Sequence, residues 1–86
     1  MIEHSVEDAI KKLAHGFINE ASFDYVCPAL FEGVCEQNNW KFKLNEEYNG
    51  WEVDWWANIE MKDCIISVNG SMLYGTAHLS VYEWIM

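Results

Sequence analysis

The chain has 86 residues, of which 51% are hydrophobic and 15% aromatic, including five tryptophans. This composition predicts a single domain spanning residues 1–86 and argues against a disordered chain. Fourteen acidic residues, five lysines and no arginine give a formal net charge of −9, which argues against direct binding to nucleic acid or to an anionic membrane, because both require a basic surface.

Hydropathy, the N-terminal residues and the cysteines bear on the cellular compartment of the protein. No apolar run approaches the roughly 18 residues of a membrane span, and the first ten residues lack the pattern of a secretion signal, so we expect a cytoplasmic protein. The three cysteines, Cys27, Cys35 and Cys64, have no metal-ligand spacing, which predicts buried thiols rather than a disulfide or a zinc site. No nucleotide or other cofactor motif occurs, so none is expected.

The N-terminal third has helical periodicity. Apolar residues recur at helical spacing after Ser5, a good N-cap, and predict a first helix over Val6–Glu20 that tolerates Gly16. A second helix follows, capped by Ser22.

The start of that second helix has two alternatives. It either begins at Phe23 and kinks at Pro28, or it begins at Pro28 after a separate turn. The polar residues 36–39 predict its end.

From Trp40 onward the hydrophobic period changes to two, which predicts strands. Asn49-Gly50 and Asn69-Gly70 are strong hairpin signals, and Lys62-Asp63 predicts a third tight turn. These turns place Leu44 opposite Trp55, Ile59 opposite Ile66, and Ile66 opposite Leu73. In this register all core positions share one face: Trp40, Phe42, Leu44, Val53, Trp55, Ala57, Ile59, Ile66, Val68, Leu73, Leu79 and Val81.

The expected fold is therefore α+β, with two N-terminal helices packed on one face of a four-stranded antiparallel meander in the order ααββββ. Its last strand is longer than the third strand can pair, leaving His78 to Met86 without a neighbour. Two solutions are open: the strand curls at Gly75 to pair with the first strand, or it pairs with its counterpart in a homodimer.

The opposite face of this sheet carries one tryptophan. The register places Trp56 there, opposite Lys43, whereas its strand neighbours are polar. Glu47 and Glu52 face each other nearby, although like charges in opposition destabilise a sheet. Ile65, Met72 and Tyr74 extend the same face as an apolar strip.

The favoured function is a small acidic inhibitor or immunity-type protein that blocks a basic partner, such as a nuclease or nucleic-acid-binding enzyme, by mimicking nucleic acid. Its target is either a toxin nuclease or a host enzyme attacked by a phage. The predicted partner-binding residues are acidic side chains around aromatic and apolar anchors: Glu47, Glu52, Asp54, Trp56, Glu60, Met72 and Tyr74.

Two alternatives remain at this stage. Trp40, Trp51 and Trp55 could line a pocket for a small apolar ligand between helices and sheet, or the protein could be a structural homodimer.

An enzyme is not expected, because His4, His15 and His78 are predicted at separate places and no nucleophile has an evident base. Glu52, Asp54, Glu60 and Asp63 lack the spacing of a calcium loop, so no metal site is predicted.

Overall fold

The computed structural model describes residues 2–49 and 52–85, and the side chains of residues 2–46 and 54–85. Its elements in chain order are helix α1 (Ile2–Ala14), strand β1 (Glu20–Phe23), helix α2 (Pro28–Gln37), and strands β2 (Lys41–Asn49), β3 (Glu52–Glu60), β4 (Cys64–Ser71) and β5 (Thr76–Trp84). The strands form one antiparallel sheet in the order β1-β5-β4-β3-β2. The α+β class is confirmed, but the four-stranded ααββββ arrangement is wrong, because the described strands number five and one lies between the helices.

Helix α1 starts earlier and stops earlier than predicted. Ser5 lies inside the helix rather than at its N-cap. The helix stops two residues before Gly16, whose φ of +77° is left-handed, and the N–H of Phe17 donates to the carbonyl of Lys12 at 2.9 Å. This bond closes the helix in a Schellman motif. The predicted continuation to Glu20 is therefore wrong, because glycine ends the helix here.

Strand β1 occupies residues that helical periodicity had assigned to the first helix and to a cap. Ala21 pairs with Leu79 and Phe23 with Ala77 along the open side of β5. Ala21 and Phe23 are partly buried, and the residues beside them are exposed. The short stretch therefore satisfies the backbone of β5, which sequence had left as an edge.

Helix α2 begins at Pro28, as one of the two alternatives predicted. Proline suits the first turn because its missing N–H would have no partner there. The predicted end of the helix is also confirmed: Asn39 has a φ of +59°, and the N–H of Trp40 donates to the carbonyl of Cys35 at 2.9 Å.

The β2–β3 hairpin keeps the predicted faces in a different register. Leu44 lies opposite Ala57 instead of Trp55, a displacement of two residues, so the described side chains stay on their expected faces. The last described pair is Asn49 with Glu52. Gly50, half of the predicted turn, lies outside the described residues.

The predicted turn at Lys62-Asp63 is confirmed. The N–H of Met61 donates to the carbonyl of Cys64 at 2.9 Å, and beyond it Ile59 lies opposite Ile66.

The predicted turn at Asn69-Gly70 is wrong, because both residues lie within β4. A methyl group at residue 70 would overlap ring atoms of Trp55, so glycine is needed here for close approach of the indole. The chain turns four residues later, between the pair Ser71 and Thr76.

The later turn changes the pairing of the last strand. Ile66 now faces Val81 rather than Leu73, and Cys64 faces Trp84. Strand β5 lies inside the sheet between β4 and β1, and the sheet is open, with β1 and β2 as its outermost strands. The predicted closure through pairing of the last and first sheet strands is therefore wrong, because β5 does not pair with β2. The predicted dimer through an unpaired last strand is also wrong, because β5 has a neighbour on each side.

One hydrophobic cluster combines residues of all seven elements. The indole of Trp55, 1% exposed, lies at its centre with its ring 5.6 Å from that of Phe31. Leu44 and Leu73, expected in the core, are exposed, and the side chain of Val53 lies outside the described part. The remaining predicted core residues are buried or partly buried: Trp40, Phe42, Trp55, Ala57, Ile59, Ile66, Val68, Leu79 and Val81.

The helices contact different parts of the sheet: α1 contacts β1, β4 and β5, and α2 contacts β2. Packing of both helices on one face stays a prediction. Buried and more exposed residues alternate along the sheet strands. We call the face that carries the more exposed residues the exposed face. Neither described helix has the length and apolar content needed to cross a bilayer.

Candidate partner-binding site

Trp56 lies on the exposed face of the sheet with 41% of its surface accessible, as predicted. Its neighbours differ from the prediction: Asn45 and Asn69 flank it on the adjacent strands. The same row continues through His78 to Ser22. The indole is therefore surrounded by neutral amides across the sheet.

Lys43 takes no part in the predicted contact with Trp56. It lies opposite Asn58, and its Nζ is 3.0 Å from Oε2 of Glu60. Because this ion pair offsets the charge of Glu60, that carboxylate contributes little to an acidic surface.

One end of the molecule holds the lysines. The C-terminus of α1, the start of β2 and the β3–β4 turn meet around a cleft of about 290 Å³ lined in part by His15, Trp40 and Lys62. We call this the lysine end, and it includes all five lysines: Lys11, Lys12, Lys41, Lys43 and Lys62. Lys11 and Lys12 form ion pairs with Glu7 and Asp8 one turn earlier.

The other end holds carboxylates and no described lysine. Strand pairing brings Asp54 beside Ser71 at the β4–β5 turn, and the N–H of Val26 donates to the carbonyl of Gly75 at 2.8 Å. The first turns of α2 border the same region, where Glu32 shares a cleft with Met72. We call this the acidic end, and it comprises Glu3, Asp24, Glu32, Glu46, Glu47, Glu52 and Asp54.

The outermost residues of the two ends lie far apart. The pair Lys41–Glu60 and the pair Asn49–Glu52 are eight residues apart along the hairpin, about 27 Å at 3.4 Å per residue. The longest dimension of the molecule is 40 Å. Since charges are screened over about 8 Å at physiological salt, a partner at the far side of the acidic end would hardly feel the outer lysines. Lys43 is closer, three residues from Glu46 along β2, or about 10 Å.

Large apolar side chains are exposed at the acidic end. Tyr25 is 93% exposed and Tyr74 71%, with Met72 and Leu73 half exposed beside Tyr74 in the β4–β5 turn. Tyr25 also has a φ of +58°, a backbone conformation that is strained for a bulky side chain. No pattern in the sequence singled out Tyr25, because it was assigned to a turn or helix.

The structure brings most of the predicted site together, in a different place. Glu47, Glu52, Asp54, Met72 and Tyr74 belong to the acidic end, although the side chains of Glu47 and Glu52 lie outside the described part. Trp56 lies two residues beyond Asp54 on the exposed face. Glu60 is at the lysine end, and Met72 and Tyr74 lie in a turn rather than on a strip beside Ile65, which faces Glu83.

The cysteines divide into two kinds. Cys27, predicted to be buried, is exposed, because α2 starts after it. Cys35 and Cys64 are buried as expected, and burial raises the pKa of the Cys35 thiol to about 12 and also raises that of Cys64. Neither buried thiol can act as a thiolate nucleophile near neutral pH.

Ser22 and His78 form a side-chain contact that the sequence did not predict. Ser22 Oγ lies 2.9 Å from His78 Nδ1, beside a shallow cleft that Asp24 and Asn69 also line. Sequence missed this contact because it did not predict β1. No described carboxylate hydrogen-bonds to the other ring nitrogen of His78, so the pair lacks the orienting group of a catalytic triad.

The two described tryptophans of the proposed pocket, Trp40 and Trp55, do not line a common cleft. Trp55 fills the core, Trp40 borders the cleft at the lysine end, and Trp51 lies outside the described residues. Among residues 2–49 and 52–85, no three histidine, cysteine or acidic side chains are grouped so that they could hold a metal ion.

Comparisons with known proteins do not identify this chain: no family model matches it, and no curated protein or solved structure is significantly similar to it. Any functional proposal therefore depends on the charge, exposure and geometry described above.

Proposed function

We propose that the protein is a small acidic inhibitor, of immunity type, that covers a basic active-site or nucleic-acid-binding surface of a partner protein with its acidic end. The segregation of charge carries the proposal. Seven acidic residues belong to one end, Glu47 and Glu52 among them by backbone pairing alone, whereas the five lysines lie at the other end together with Glu7, Asp8, Glu60 and Asp63. Solubility requires only that the protein carry net charge, whereas this distribution creates a local negative field that a basic partner would meet first.

Binding would combine steering with anchoring. The carboxylates take the places of nucleic-acid phosphates against lysine and arginine side chains of the partner and accelerate encounter. Tyr25, Tyr74 and Met72 supply apolar contact area that the fold itself leaves exposed. Tyr25 supports this role most directly, because its backbone is strained while its ring is almost fully exposed and so adds little packing energy to the fold.

The proposal takes both helices to cover the buried face of the sheet, as the sequence predicted. The exposed face then stays open, and Trp56 can contribute a further contact at the border of the acidic end. Two kinds of target fit this chemistry: a toxin nuclease held inactive by its cognate immunity protein, and a host nucleic-acid enzyme blocked by a phage protein.

The test uses two charge variants with the same net charge. Asp24→Lys/Asp54→Lys alters the acidic end, whereas Glu20→Lys/Glu83→Lys alters exposed residues elsewhere on the sheet. Each variant changes the formal charge of −9 by +4, to −5. Wild type and the control variant should capture the same basic protein from lysate at low salt and inhibit its activity on nucleic acid.

The acidic-end variant should lose both capture and inhibition. Equal capture by both variants would show that location of charge does not matter, and the proposal would be abandoned. Tyr25→Ala and Tyr74→Ala should leave the association rate nearly unchanged and accelerate dissociation, because apolar anchors act after encounter.

A further inference from the structure

Strand β2 is a long outermost strand with one open side. It spans nine residues, Lys41–Asn49, and pairs only with β3 among the described strands. By contrast, β5, the strand expected to lack a neighbour, is enclosed by β4 and β1. Lys41 and residues 43–46 are exposed. An open strand of this length can pair with another strand.

The charges along β2 change sign at its middle. Lys41 and Lys43 lie in its first half, and Glu46 and Glu47 in its second half. A strand with this order is complementary to a second copy of itself that runs antiparallel, because each basic half then meets an acidic half. A parallel copy would place like charges together.

The same order holds for the molecule as a whole. Strand β2 runs from the lysine end to the acidic end. Two copies joined antiparallel through β2 therefore bring the lysine end of each beside the acidic end of the other. Electrostatic complementarity thus acts both at the strand and between the bodies.

We propose that β2 is the self-association surface of this protein, through which two copies pair antiparallel and join their sheets into one. Any symmetric register centred on a residue keeps like faces together, but within β2 only two of them pair a lysine with a glutamate, and in both Glu46 lies opposite an apolar residue. With Leu44 at the centre, Lys41 lies opposite Glu47 and the exposed Leu44 meets its counterpart; with Asn45 at the centre, Lys43 lies opposite Glu47. A strand from an unrelated protein lacks this matched order of charge.

The test exchanges the charges of the strand in two separate variants. Lys41→Glu/Lys43→Glu makes β2 wholly acidic, and Glu46→Lys/Glu47→Lys makes it wholly basic. Sedimentation equilibrium from about 1 µM to about 1 mM measures self-association. Wild type should form a dimer, and each variant alone should dimerise more than about tenfold more weakly, because attractive cross-strand pairs become repulsive.

Mixing the two variants provides the decisive readout. An equimolar mixture should form a heterodimer at least as stable as the wild-type dimer, and about 1 M salt should weaken it. The matched control, Glu20→Lys/Glu83→Lys on β1 and β5, makes the same charge change as Glu46→Lys/Glu47→Lys at exposed residues outside both ends and should leave the dimer unaffected. Circular dichroism checks folding, and Lys41→Glu alone replaces the double variant if that one unfolds.

Three results would overturn the inference. Wild type that stays monomeric at about 1 mM shows that the open strand does not self-associate. A wild-type dimer that neither charge variant weakens uses another surface. Variants that are monomeric alone and also fail to associate when mixed show that charge order in β2 does not specify the pairing.

Discussion

The same substitution at two glycines should change stability in opposite directions. Gly70 lies in β4 with the Trp55 indole directly above it, and an added methyl group would have to occupy the position of ring atoms. Gly33 lies inside α2, and no heavy atom is within 4 Å of the corresponding position. Gly70→Ala should therefore destabilise the protein, whereas Gly33→Ala should stabilise it.

The magnitudes follow from the surroundings of each residue. Alanine relieves the entropic cost of glycine by about 0.5–1 kcal/mol in a helix or strand, and this is the whole effect expected at Gly33. At Gly70 the overlap costs about 1–3 kcal/mol by the usual range for overpacking. The upper half of that range applies, because Trp55 is enclosed and held against Phe31 and has no free space into which to move.

Urea unfolding followed by tryptophan fluorescence measures both variants. We expect Gly70→Ala to lose about 1–2.5 kcal/mol net and Gly33→Ala to gain about 0.5–1 kcal/mol. For a chain of this size, 1 kcal/mol corresponds to a shift of about 4–8 °C in Tm, so thermal melts should resolve the two.

A double-mutant cycle identifies the cause at Gly70. In a Trp55→Phe background the smaller ring removes the overlapping atoms, so Gly70→Ala should cost at least about 1 kcal/mol less than in wild type. Gly70→Ala as stable as wild type, or an equal cost in both backgrounds, would refute the close contact between Gly70 and Trp55.

Three further predictions concern Tyr25, Cys35 and Glu60. Tyr25→Asn should raise the free energy of unfolding by about 1 kcal/mol in a denaturant titration, because asparagine tolerates a φ of +58° better, and should weaken capture of the basic partner. The raised pKa of the Cys35 thiol, about 12, should by itself lower the unfolding free energy by up to about 1.4 kcal/mol per pH unit above about pH 8.5, because the unfolded thiol loses its proton there while the folded one keeps it. In melts at pH 8 to 10, the unfolding free energy of Cys35→Ala should fall less steeply with pH than that of wild type, by the same amount. An equally steep fall in both proteins would contradict the prediction. Glu60→Gln should cost about 1 kcal/mol or less, because the Lys43 side chain is exposed, although the Glu60 Oε2 that it contacts is buried, and high salt should reduce the loss.

The charge total was evident from the sequence, but its segregation was not. Net charge is a sum over residues, whereas the two ends arise because α1, β2 and the β3–β4 turn meet at one side of the core. Glu60 illustrates the difference: it follows the acidic stretch of β3 in sequence, yet its strand carries it to the lysine end beside Lys43. Tyr25 gained its significance only from its backbone conformation and exposure.

The sequence by itself determined which face of the strands after Trp40 is buried, because alternation of side chains is a local property that a register shift of two residues preserves. It also determined the start of α2 at Pro28 and the turn at Lys62-Asp63. Only the tertiary structure decided that residues 20–23 form a strand, since that stretch is ordered by pairing with β5, more than fifty residues away. It likewise decided against a turn at Asn69-Gly70, because the local preference of that pair is outweighed by the contact between Gly70 and Trp55, which lies on a different strand.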